Sequence, residues 1–105
     1  MALVRLVKLN NLQYNANRDP DVYRRSVGKS FRIQALLVGT GDANARLTVN
    51  GEVLCEASVS LPGRFDCEVS FDSAGTRVGI LSIEGNGEQF TQELRLDTVE
   101  HDWVG

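Results

Sequence analysis

The sequence predicts an all-β protein, seven antiparallel strands folded into a two-layer sandwich. Short runs alternate apolar and polar residues, as in "SFRIQALLVG", where Phe31, Ile33, Ala35 and Leu37 oppose Ser30, Arg32 and Gln34. Turn signals rich in Gly, Asn and Asp recur about every ten residues, the spacing of a sandwich. No segment carries a convincing helical period. These three observations fix the class, and each element follows from them.

The first strand is Leu3 to Leu9, short and apolar on both faces. A long segment without clear periodicity follows, from Asn10 to Gly28. Within it Asp19 can cap, and Pro20 begin, one helical turn. The second strand, Ser30 to Gly39, ends in a turn at "GTGDANA". "ARLTVNGEVLCEASVSLPGRFDCEVSF" then supplies three strands, divided at Asn50-Gly51 and at "LPGR". "DSAG" is the next turn. The last two strands meet at Asn86-Gly87, a strong short hairpin signal. A two-residue loop there pairs Gly85 with Glu88, Ile83 with Phe90, Leu81 with Gln92 and Gly79 with Leu94. Leu81, Ile83, Phe90, Leu94 and Leu96 then share one face, so turn and alternation agree on the register. At Asn50-Gly51 they conflict: a plain two-residue loop sets Leu47 against Leu54 and turns Val53 and Cys55 outward. A longer loop or a bulge is expected there.

Cys55 and Cys67 fall in phase with Val53, Ala57 and Val59, and with Phe65, Val69 and Phe71. Both therefore point inward. If "LPGR" reverses the chain, they lie roughly 13 Å apart along the sheet, beyond the Cα separation of about 7 Å that a disulfide spans. Two buried free thiols are expected, in keeping with a reducing compartment.

With 105 residues, 42% hydrophobic and 24% charged, the chain is one soluble domain over 1–105, with 99–105 expected as a flexible tail. No window approaches the ~18 continuous apolar residues of a membrane span. "MALVRLVKLNN" is a poor signal peptide, since Arg5 and Lys8 interrupt it, and a cytoplasmic location is expected, or a secreted one if a leader was removed. The net charge of -3 argues against nucleic acid as a partner. Residues 1–38 hold seven Lys/Arg against two Asp; residues 39–105 hold four Arg against twelve Asp/Glu. Either the two halves interleave and neutralise, or basic and acidic faces meet between molecules.

The run from Val27 to Gly85 resembles bacterial immunoglobulin-like domains of the cell-adhesion-related type and, more loosely, fibronectin type III. Val27-Gly28, the turn Gly39-Thr40-Gly41, the strand Val59-Ser60-Leu61 and the run Phe71 to Thr76 stand where that family has its recurring start, turn, strand and "F...AGT" motif. Gly39 replaces the family's usual Asn, and the long insert before Val27 departs from its pattern. The resemblance implies a seven-strand immunoglobulin-like β-sandwich with a long loop after the first strand. It implies little about function, because that fold hosts many roles.

Catalytic and metal-binding groups are sparse. His101 is the single histidine, in the tail beside Glu100 and Asp102, and no His/Cys cluster has ligand spacing. "GTGDAN" and "GNG" precede no helix and are not phosphate loops. Asp19 and Asp21 serve capping and solubility better than calcium. The chain is read as a non-enzyme that needs no cofactor.

Interaction is the remaining reading. Tyr14, Arg18, Tyr23, Arg24 and Arg25 in the long segment are of the types that anchor interfaces. Val78 and Ile80 point away from the core on a strand whose Leu81 and Ile83 point into it, and Trp103 sits in the acidic tail. These eight residues are the candidate binding set for a protein partner or a homo-oligomer. The alternative is a ligand-binding module, for example for carbohydrate, presenting Tyr14, Tyr23 and Trp103.

Overall fold

The computed structural model describes residues 3–14, 23–85 and 87–100. Seven strands form among them: β1 (Val4–Leu9), β2 (Leu12–Gln13), β3 (Arg25–Ser26), β4 (Phe31–Val49), β5 (Glu52–Val69), β6 (Gly75–Gly85) and β7 (Glu88–Val99). They make one curled sheet in the order β2-β1-β4-β6-β7-β3, with β5 paired to β4 off that path. The class is all-β, as the alternation predicts. The sheet is mixed rather than purely antiparallel, because β3 runs parallel to β7, Arg25 beside Thr98 and Ser26 beside Val99.

The spine is one long hairpin, β4–β5. Its turn is Asn50-Gly51, both with positive φ (54° and 81°), which is how a two-residue loop follows the strand twist. Val49 pairs with Glu52 and Thr48 with Val53, but Leu47 pairs with Cys55, so Leu54 is an extra residue. The tight turn and the bulge coexist. The bulge restores the phase that the turn alone would have inverted.

"GTGDANA" and "LPGR" are not turns, which corrects the sequence reading. They lie opposite each other inside the hairpin, at a corner where both strands bend. Leu37 pairs with Gly63 and Gly41 with Leu61, leaving Val38, Gly39 and Thr40 against Pro62 alone. Gly63 has no room for a side chain: a Cβ there would lie 2.4 Å from the Ser60 carbonyl oxygen and 2.7 Å from Val59 Cγ1. On the other strand, Gly39 and Gly41 take φ of 123° and 85°, a region that costs a Cβ-bearing residue energy. The four strands of the sequence reading are therefore two, each serving both parts of the sheet.

Beyond the corner β4 changes neighbours. Its first half pairs with β1, Val7 with Ala35 and Leu9 with Ile33. The second half pairs with β6, Ala45 with Ile83 and Leu47 with Leu81. Both halves bury their alternate residues: Phe31, Ile33, Ala35 and Leu37 on one, Ala43, Ala45, Leu47 and Val49 on the other. These join Leu9, Phe65, Leu94 and Leu96 in one core.

The fold-back also overturns the free-thiol expectation. Cys55 and Cys67 form a disulfide, with Cα atoms 6.1 Å apart. The 13 Å estimate assumed that β5 reverses at "LPGR"; instead it bends there and lays its two halves over one another. The bond fastens them across the curl.

β6 and β7 match the predicted register throughout, including Gly85 with Glu88, Ile83 with Phe90, Leu81 with Gln92 and Gly79 with Leu94. The segment after β1 departs from an unbroken long loop. Asn10 and Asn11, at φ 56° and 72°, turn β1 into β2, and β3 forms before Phe31. The expected helical turn at Asp19-Pro20 lies outside the described residues.

Candidate interaction surface

Asn10 organises the described ends of that segment. Its side chain is buried, donating through Nδ2 to the Tyr23 carbonyl (2.9 Å) and accepting through Oδ1 from the Arg32 amide (2.9 Å). One residue thereby ties the approach to β3 onto the edge of β4. The sequence signal was the Asn-Asn pair between Leu9 and Leu12, a hairpin motif that a search for Asn-Gly passes over.

Tyr23 is buried, at 3% exposure. Its hydroxyl donates to the Gln13 carbonyl (2.8 Å), and its ring lies 5.2 Å from that of Tyr14. Tyr23 thus serves the fold. Tyr14 is half-buried, and its hydroxyl accepts from the Arg95 amide of β7 (3.2 Å). Arg24 is exposed; Arg25 is half-buried and donates to the Ser30 carbonyl through Nε (3.3 Å). Arg18 and Trp103 lie outside the described residues, as do Asp19, Asp21 and His101.

Val78 and Ile80 stand on the outer face, 49% and 38% exposed. Across the ladders Ile80 pairs with Thr48, and Thr48 with Val53, which is 46% exposed. Val53, Thr48 and Ile80 make one row over three strands, with Val78 beside its end. On β7, Arg95 stands opposite Val78 and Glu93 opposite Ile80, a charged border to an apolar strip. Tyr14, Thr76, Val78, Gln92, Glu93, Leu94 and Arg95 line a half-open groove of about 460 Å³ next to it. The structure therefore brings Tyr14 and Val78 together, from the two regions singled out in the sequence. Ile80 continues the strip, whereas Arg24 and Arg25 belong to the neighbourhood of β3.

A polar cluster occupies the outer face of the other half. Asp66 accepts from Gln34 Nε2 (2.8 Å) and Arg64 Nε (2.7 Å), with Arg32 at 3.9 Å. Here the basic first part of the chain does interleave with the acidic second part. Among the described residues no group of three His, Cys, Asp or Glu is placed to hold a metal ion, and no helix is long and apolar enough to cross a membrane.

In comparisons with known proteins, no family model, no curated protein and no solved structure matches this chain.

Proposed function

We propose that this chain is a non-enzymatic protein-interaction module that assembles with itself through the outer face of β6. The observation that carries the reading is the row of Val53, Thr48 and Ile80 with Val78 beside its end, three large apolar side chains exposed on one face of a small sheet with Thr48 between two of them. Apolar area left together on a rigid face is stabilised by a partner that removes it from water. Glu93 and Arg95 at its border supply charges of both signs, suited to fixing orientation. The two halves of the curled sheet act as the layers of an immunoglobulin-like sandwich. The disulfide between them supports that architecture.

A carbohydrate-binding module would present exposed rings. Among the described residues Tyr14, Phe71 and Phe90 are half-buried, and Tyr23, Phe31 and Phe65 are buried. Protein binding is the better reading. The cytoplasmic expectation drew support from two free thiols. With Cys55 joined to Cys67, an oxidising compartment fits the chain better.

Molar mass by light scattering over a concentration series tests the proposal. The unmodified protein should form a specific oligomer. Val78→Thr combined with Ile80→Thr should keep the circular dichroism spectrum and weaken assembly at least about tenfold, from the loss of apolar contact at ~25 cal/mol per Å². A protein that stays monomeric at high concentration contradicts the reading.

A further inference from the structure

We infer that the assembly is completed along the edge of β7, which pairs antiparallel with β7 of a second copy about Thr91; this rests on the self-assembly reading above. The Arg95 amide donates to the Tyr14 hydroxyl, so its N–H faces away from β6. Donor direction alternates along an antiparallel strand, and the β6–β7 register runs without a bulge from Gly75↔Thr98 to Gly85↔Glu88. The N–H and C=O groups of Gln89, Thr91 and Glu93 therefore face outward too. The Val99 carbonyl, accepting from the Val27 amide beyond β3, shows the same phase at the other end.

The described residues cover only part of this edge. β3 pairs at Thr98 and Val99, and Tyr14 reaches Arg95. From Glu88 to Leu94 no strand among the described residues lies alongside β7. Gln92 turns its side-chain amide to the Glu93 carbonyl (3.1 Å), a contact that an incoming strand displaces easily. β5 also has an open edge, but it is broken by the bulge at Leu54 and by Pro62, devices that discourage pairing. Between Glu88 and Leu94 there is neither a bulge nor a proline. Unpaired donors and acceptors in a regular row match an extended backbone.

The register follows from what is already occupied. Hydrogen-bonded pairs must join outward-facing residues, so Gln89, Thr91 and Glu93 pair among themselves. Setting Gln89 against Arg95 of the copy would need the amide that Tyr14 holds. The longest register that leaves Tyr14 in place sets Thr91 opposite Thr91 and Gln89 opposite Glu93 in both directions. No like charges are directly opposed, and a Thr–Thr pair is favourable. Phe90, half-buried at this edge, then lies diagonal to its own copy. Both outer faces become one continuous sheet surface on which the two Val78–Ile80 strips stay exposed side by side, so the face contact proposed above joins one such pair to another.

Hydrogen exchange of the Thr91 and Glu93 amides, measured with molar mass from dilute to concentrated protein, tests the inference. Both amides should become protected as the oligomer forms. Thr91→Pro, which removes an amide that β6 does not use, should weaken assembly about thirtyfold through two lost backbone hydrogen bonds. An oligomer whose Thr91 and Glu93 amides stay unprotected, and which Val78→Thr with Ile80→Thr dissociates, overturns edge pairing while leaving the face reading intact. A monomer at every concentration overturns both.

Discussion

The β4–β5 and β6–β7 hairpins differ in what they leave exposed. β4–β5 is bent at a glycine-lined corner, bulged at Leu54 and fastened by the Cys55–Cys67 bond, so it holds the two halves of the sheet together. β6–β7 runs in one uninterrupted register and buries Leu81, Ile83, Leu94 and Leu96 on one face only. Its other face carries Val78 and Ile80, and among the described residues no strand pairs with its far edge from Glu88 to Leu94. Irregular geometry here marks internal construction, and the regular hairpin carries most of the surface to which the proposed self-assembly is assigned.

That contrast predicts unequal costs. The largest effect is expected from removing the disulfide, by Cys55→Ala with Cys67→Ala. The bond closes a sequence separation of 12 residues, and releasing so short a loop should lower stability by about 3 kcal/mol. Urea unfolding of the variant beside the unmodified protein measures it. An unchanged midpoint would mean that the two halves of β5 need no staple.

Gly63→Ala comes next, because its Cβ would meet the Ser60 carbonyl oxygen of the backbone as well as Val59 Cγ1. Relieving that overlap should cost about 1–3 kcal/mol, read from the melting temperature. Ile80→Thr alone stands at the other extreme. It touches no core contact on the regular hairpin and should shift stability by less than about 0.5 kcal/mol. A large loss there would place Ile80 in the packing of the fold and erase the contrast.

The same two hairpins show how much was legible in the sequence. Asn86-Gly87 and the alternation of Leu81 and Ile83 with Phe90, Leu94 and Leu96 specify one register, and the structure has it. Local turn chemistry and face periodicity are both short-range, so a hairpin decided by them is readable. The outward pair Val78 and Ile80 followed from the same reasoning. At the corner, Gly39, Gly41, Pro62 and Gly63 are residues that serve a reversal and a bend equally well. Choosing between them requires the partner strand, which is a long-range fact. The disulfide was lost with that choice. Tyr14 and Tyr23 looked alike in the sequence; only the position of Asn10 separates a ring in the core from one at the groove.

The fold-back of β4–β5 underlies the whole account, and a tryptic digest of unreduced, alkylated protein tests it most directly. Cleavage after Arg46, Arg64 and Arg77 separates the two cysteines into peptides 47–64 and 65–77. With Cys55 bonded to Cys67, mass spectrometry should find these peptides as one linked species that dithiothreitol splits. Two separate peptides, each alkylated at its cysteine, would contradict the bent hairpin and restore "LPGR" as a chain reversal.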